Sequence, residues 1–206
     1  MSNPSEATLP LGGEEVDQGR RKLLLATCIA GGAATGAAAW PFLASMEPSE
    51  RAKALGAPVE ADISALAPGE QMIVEWQGKP VWVVYRTKEM MASLKKDEAK
   101  LADPLSKKSL QPEYCQNEAR ARPEKPEMLV VVGICTHLGC SPTSKFAAAD
   151  PSMGADWPGG FLCPCHGSRF DLSARVYANF PAPENLPVPQ YKYLSETKLL
   201  IGDDKA

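Results

Sequence analysis

The sequence predicts a mainly β protein: one N-terminal transmembrane helix, then a head of small antiparallel sheets with a helix and loop inserted between strands. Three observations carry this. An uncharged run from Leu23 to Met46 follows Arg20-Arg21-Lys22. From residue 59 onward, short runs rich in Val, Ile, Trp and Tyr are separated by Gly, Pro, Asn and Ser turn signals. Two of those runs end in tight Cys/His segments, Cys135–Cys140 and Cys163–Ser168, each able to close on a metal ion from one loop.

The chain has 206 residues, 44% of them hydrophobic, and a formal net charge of -3. That suits one modest domain with accessory segments. A pI near 5.5 and the lack of a basic patch with interleaved aromatics exclude nucleic acid as a main partner.

Residues 1–19 are polar, acidic and rich in Gly, Pro and Ser without periodicity, which predicts a disordered tail. The tail runs to residue 22 and ends in the basic triplet. As a helix, residues 23–46 span roughly 34 Å at about 1.5 Å per residue, enough for a hydrocarbon core. Arg20-Arg21 followed by Lys22-Leu23-Leu24-Leu25 is similar to a twin-arginine export signal. A cleaved export peptide competes with a retained anchor, and the small residues Gly31–Gly36 favour a packed, retained span. Basic residues before the span place the N-terminus in the cytoplasm and the head outside. Residues 47–58 turn to Pro, Ser, Ala and charge and form a linker to the head at 59–206.

Within the head, Gln71–Trp76 and Pro80–Arg86 form a hairpin around Gln77-Gly78-Lys79. Lys88–Lys100 carries helix formers, and 103–126 is polar and Pro-rich, so this stretch is an inserted helix and loop. Met128–Ile134 is a buried strand leading into the first Cys/His segment, and Gly160–Leu162 leads into the second. Arg169–Leu172 and Arg175–Tyr177 form a hairpin bent at Ser173-Ala174. Tyr191–Leu194 and Lys198–Ile201 close the head as another. Of the six cysteines, Cys28 is a small apolar filler in the span and Cys115 a partly buried free thiol.

Each Cys/His segment offers one Cys and one His two or three residues apart, so each can close on a metal from one loop. The four donors are Cys135, His137, Cys163 and His166. Two thiolates and two imidazoles suit either a tetrahedral zinc ion or a binuclear iron-sulfur centre with two His on one iron. The chain's two histidines are both used here.

With C-T-H-L-G-C at 135–140 and C-P-C-H-G-S at 163–168, the chain resembles the Rieske iron-sulfur proteins. The extra cysteine in each loop narrows the resemblance to the quinol-oxidising type, the Rieske subunits of bacterial cytochrome bc complexes. The resemblance implies one 2Fe-2S cluster, with Cys135 and Cys163 on the inner iron and His137 and His166 on the outer, redox-active one. It implies a Cys140–Cys165 disulfide, hence an oxidising compartment such as a periplasm. It places Ser168, Phe170, Gly139 and Pro164 around the cluster, with the Ser168 hydroxyl donating to a bridging sulfide. Phe170 stands where high-potential members carry a Tyr whose hydroxyl donates to a ligand sulfur. Pro181-Ala182-Pro183 matches the proline loop that covers the cluster. His166, with Leu138, is the implied quinol contact, and His166 and His137 carry the proton-coupled step.

The fold implied is an antiparallel β head with a cluster-binding subdomain at about 134–183, and the linker becomes a hinge. The partners implied are a b-type cytochrome subunit, a c-type cytochrome subunit, quinol and the membrane, within a dimeric complex. One departure is that the 25 residues between His137 and Cys163 exceed the shortest family versions, and the excess is read as a surface loop between the two Cys/His segments. A Rieske oxygenase would need further His ligands for a mononuclear iron, which this chain lacks. A soluble Rieske ferredoxin would lack the span and the second Cys pair. The alternative function is the small Rieske subunit of an arsenite-oxidase-type enzyme. The long linker, the 88–127 insertion and the proline loop speak against it.

Overall fold

The computed structural model describes residues 17–205, so the expected disorder of residues 1–16 lies outside the described residues. The chain divides into two units, 1–49 and 50–206.

In the first unit, α1 runs from Gln18 to Ser45. It starts earlier than the apolar run because Asp17 caps it, its carboxylate accepting from the Gly19 and Arg20 amides at 2.9 and 3.2 Å. The twin arginines are therefore helical rather than part of a tail. Every side chain of α1 is exposed, including Leu24, Ile29, Trp40 and Phe42. Such a surface is stable only when an apolar medium or partner covers it. Among the described residues this is the one helix long and apolar enough to cross a membrane.

The second unit opens with α2, Glu50–Gly56, inside the stretch expected to be a linker. Ala, Leu and a Glu50–Lys53 pair at 2.8 Å make this part of the linker helical. Then come three small antiparallel sheets. In one, β2 (Gln71–Trp76) and β3 (Lys79–Tyr85) are joined by Gln77-Gly78, both at positive φ, the two-residue geometry whose twist matches the strands. The hairpin is one residue tighter than expected, with Lys79 paired to Trp76. On the far side of β3 lies β4 (Met128–Val132), buried at all five residues.

The second sheet has β9 (Lys198–Ile201) between β1 (Val59–Asp62) and β8 (Tyr191–Tyr193). Strand β1 was not foreseen, since Val-Glu-Ala-Asp has little β preference and takes its conformation from β9. The third sheet carries the Cys/His segments and consists of β5 (Thr143–Lys145), β6 (Gly160–Leu162) and β7 (Arg169–Phe170). The stretch between the Cys/His segments, whose excess length was expected to be surface loop, contains β5 and also buries Met153 and Trp157, whose indole N–H donates to the Lys145 carbonyl at 2.9 Å. The expected hairpin at 169–177 shrinks to β7 and one bridge between Phe170 and Val176, because the turn after Asp171 closes tightly with Ala174 at φ 57°. The helix expected over 88–100 stops at Ser93 as α3, capped by Thr87, and resumes as a short 3-10 turn at Glu98–Lys100.

Trp82 of β3 stacks on Phe161 of β6 with centroids 5.1 Å apart, joining two sheets in one core. Gly133 is required beside it, because a Cβ there would sit 2.1 Å from the Trp82 ring. The polar counterpart lies under the turn after β7. Three buried arginines converge there. Arg86 donates to the Leu172 carbonyl at 3.1 Å and the Ser173 hydroxyl at 2.8 Å. Arg120 donates to the carbonyls of Ser173, Ala174 and Leu186 at 3.2, 3.1 and 2.7 Å. Arg175 pairs with the Asp171 carboxylate at 2.7 Å and reaches the Leu94 and Pro104 carbonyls. These bonds tie the Pro-rich insertion to the base of the third sheet.

Candidate metal centre

The two Cys/His segments are built alike. In the first, the Cys135 amide donates to the Cys140 carbonyl at 2.8 Å and the Gly139 amide to the Cys135 carbonyl at 3.0 Å. In the second, the Cys163 amide donates to the Ser168 carbonyl at 2.8 Å and the Gly167 amide to the Cys163 carbonyl at 2.9 Å. Each is a six-residue loop closed at the same two places. Gly139 and Gly167, at φ 84° and 75°, supply the left-handed residue that such a reversal needs.

The loops face one another with their donors sorted by depth. Cys135 and Cys163 are each 2% exposed, whereas His137 is half-buried and His166 exposed. The imidazole centroids lie 4.8 Å apart, nearly perpendicular. The Cys135 thiol lies against the side chains of Cys163 and Ser168. Burial pushes this thiol up, while the His137 amide and Ser168 favour its thiolate. Four donors from two loops, two buried sulfurs and two outward imidazoles, fit a binuclear centre whose two irons have different ligands.

Cys140 and Cys165 form a disulfide between the loop tips. Their sulfurs and that of Cys163 fall within 4.8 Å of one another, but the disulfide spends two of the three and leaves Cys163 alone as a donor.

The remaining predicted residues fall around this pair of loops. Leu138 stands out at 71% exposure, and Pro164 and Gly139 are exposed beside it. Ser168 and Phe170 are fully buried, Phe170 in the same core cluster as Cys135 and Cys163. In the proline loop, Pro181 and Pro183 are exposed and Ala182 is buried. That loop is fastened to both Cys/His loops. The Thr136 hydroxyl donates to the Glu184 carbonyl at 2.6 Å, and the Ala182 amide donates to the Ser168 hydroxyl at 3.0 Å. Thr136 had not been singled out from sequence, although a Thr next to a ligand Cys is a side chain able to tie a loop. Of the other cysteines, Cys115 is fully buried rather than partly so, 3.8 Å from the Tyr191 hydroxyl. Cys28 lies on the exposed surface of α1.

Residues 58–192 match the Rieske [2Fe-2S] domain, and residues 13–49 match the ubiquitinol-cytochrome C reductase Fe-S subunit TAT signal. The chain belongs to the Rieske iron-sulfur family. It is 54% identical to the ubiquinol-cytochrome c reductase iron-sulfur subunit of Allochromatium vinosum over 197 residues, 95% of this chain and 94% of that one. The subunit of the same name from Bradyrhizobium diazoefficiens is 42% identical over 184 residues, 89% of this chain and 94% of the other. Among solved structures, a chain of a hyperthermophilic respiratory Complex III is 27% identical with a TM-score of 0.45, covering 84% of this chain and 96% of that one. The Rieske domain and the donor set together assign the chain one 2Fe-2S cluster.

Proposed function

We propose that this Rieske chain is the electron-transfer subunit of a membrane quinol-cytochrome c oxidoreductase, carrying one electron from quinol to a c-type cytochrome. The observation that carries this is the sorted donor set, with sulfurs buried and two adjoining imidazoles at the exposed tip of a disulfide-latched pair of loops. Cys135, Cys163, His137 and His166 would hold the cluster, which supplies a one-electron acceptor at roughly -150 to +300 mV. Neutral imidazoles in place of thiolates make an added electron easier to accept.

His166 is the exposed imidazole and would offer a ring nitrogen to a quinol hydroxyl, taking its proton while the cluster held by the four donors supplies the acceptor for the electron. Leu138, beside it, gives the quinol site an apolar wall. Ser168 would donate toward a cluster sulfur, the bridging sulfide by the family resemblance, and Pro181, Ala182 and Pro183 would exclude water from one side.

Partners on this reading are a b-type and a c-type cytochrome subunit in a dimeric complex. The export signal and α1 support a single-pass anchor in a bacterial inner membrane, N-terminus in the cytoplasm and head in the periplasm. Residues 47–58 would be the hinge. The arsenite-oxidase alternative is not favoured, since the relatives are named for ubiquinol-cytochrome c reductase.

The test is to extract the tagged chain from membranes in mild detergent and record the dithionite-reduced minus oxidised spectrum of what copurifies. Haem b and haem c bands are expected. A molybdenum-containing partner without haem would refute the assignment.

A further inference from the structure

Asn185, 1% exposed, uses its whole amide. Its Oδ1 accepts from the Val176 amide at 2.8 Å, and its Nδ2 donates to the Asp103 carbonyl at 2.9 Å and the Ser106 hydroxyl at 2.7 Å. Its backbone N–H donates to the Ser109 hydroxyl at 3.1 Å. The inserted loop that receives these bonds is itself fixed. The Asp103 carboxylate accepts from the Lys107 and Lys108 amides, each at 2.9 Å, and from the Ser109 hydroxyl at 3.2 Å. The end of the proline loop is therefore anchored to a built scaffold rather than to solvent.

Three residues upstream, the Ala182 amide donates to the Ser168 hydroxyl in a buried bond. The buried Ser168 side chain also lies against the buried Cys135 thiol and favours its thiolate. A hydroxyl has one proton and two lone pairs, and a backbone amide can only donate. The Ala182 amide thus takes a lone pair of Ser168 and leaves the proton for the sulfur. A donor to a ligand sulfur stabilises the added negative charge of a reduced centre. Where the proline loop sits decides whether that proton is held in place.

We propose that Asn185 is a positioning residue: by anchoring the proline loop it holds the Ala182 amide against Ser168, and so aims the Ser168 proton at the ligand sulfur. This rests on the cluster reading above. The Asn185 side chain makes no hydrogen bond to either ligand loop, and the route proposed runs through Ala182 and Ser168. The inserted 103–109 loop becomes part of the device that sets the midpoint potential.

The test is a redox titration followed by electron paramagnetic resonance on the full-length chain, purified with its cluster in mild detergent. Asn185→Ala is expected to lower the reduction equilibrium constant by about tenfold, about 59 mV for one electron. Ser106→Ala, which removes one acceptor of the Asn185 amide, should give a smaller drop of the same sign. In a Ser168→Ala background, neither substitution should shift the midpoint further, because the pathway runs through that hydroxyl. A parental midpoint in Asn185→Ala with its signal intact would overturn the proposal, as would drops that simply add. If Asn185→Ala loses its cluster, Ser106→Ala alone and with Ser168→Ala decides by the same rule. No Rieske signal in the parental chain would refute the cluster reading instead.

Discussion

Asp171→Ala should destabilise the head more than any exposed substitution near the centre. The Asp171 carboxylate is buried and accepts from the Ser173 amide at 2.9 Å, the Arg175 amide at 2.7 Å and Arg175 Nε at 2.7 Å. Its ion pair with Arg175 has side-chain exposures of 6% and 0%. Removing one partner of a buried pair costs about 3–5 kcal/mol, because the other charge stays buried. The two amides left unpaired would each cost about 1–3 kcal/mol if counted separately, but the terms overlap. A total of about 4–6 kcal/mol is a large share of the ~5–15 kcal/mol that holds a typical domain together. Arg86 and Arg120 make this worse, since both donate to the same turn and, among the described residues, neither has a carboxylate in hydrogen-bond contact. Asp171→Asn keeps one acceptor oxygen and should lose about half as much. Urea unfolding of the cluster-loaded chain in detergent, followed by tryptophan fluorescence and by the visible absorbance of the centre, measures both. A loss below about 1 kcal/mol for Asp171→Ala would refute the view that this pair holds the turn.

Phe170→Tyr should raise the midpoint by up to about 60 mV, the worth of one new hydrogen bond to sulfur of about 1.4 kcal/mol; equal midpoints in the two forms would rule out the missing hydroxyl as a determinant. Thr136→Val removes the tie to the Glu184 carbonyl, worth about 1 kcal/mol, so exchange of the Ala182, Glu184 and Asn185 amides should quicken about fivefold. Unchanged protection there would show that the bond does not hold the loop. Burial pushes the Cys115 thiol up to about 11, from an ordinary 9.0. The folded state keeps this proton longer than the unfolded one, so its stabilisation is complete below about pH 9 and is lost as pH rises toward 11. Cys115→Ala should flatten the stability profile in that window, and an unaltered slope would reject the assignment. Leu138→Ala should leave stability within about 0.5 kcal/mol, as for exposed side chains generally, while slowing quinol oxidation by the assembled complex; an equal rate would remove Leu138 from the quinol contact.

The ligand loops were legible because their geometry is local. A Cys and a His within six residues, with Gly before the closing position, can meet only in a tight reversal. The β2–β3 hairpin was legible for the same reason, its turn lying between two β-rich runs. What sequence did not show depends on residues far apart in the chain. Strand β1 is a strand because β9 lies beside it, 138 positions away between Glu60 and Lys198, which also form an ion pair at 2.5 Å. Strand β5 is three residues long and exists by pairing with β6. An arginine in a polar, Pro-rich stretch reads as surface, yet Arg120 is buried because four acceptors, among them Gln111 Oε1 at 2.9 Å, converge on it. Asn185, between Glu184 and Leu186 in a run of prolines, reads as a turn residue until the insertion that it binds is in place.

Arg120 and Asn185 both bind segments that follow the second ligand loop, at the turn after β7 and the end of the proline loop. The tip exposes one imidazole and one leucine, groups that on the proposed function meet the quinol and so stay uncovered. An exposed tip has few contacts to fix it, yet its electronic properties depend on where hydroxyl and amide protons point. The chain resolves the conflict by placing rigidity below. Three buried guanidiniums hold the turn after β7, Asn185 holds the proline loop, and the disulfide with the Thr136 and Ser168 bonds carries that order up to the tip. Guanidinium suits this task because its donors lie in a fixed plane and bind several carbonyls at once. A lysine at Arg120 would offer the same charge but could not serve acceptors arranged as a fork. The cost of burying these charges is therefore tied to the precision demanded at the surface, and the insertion supplies the carbonyls that make their burial tolerable.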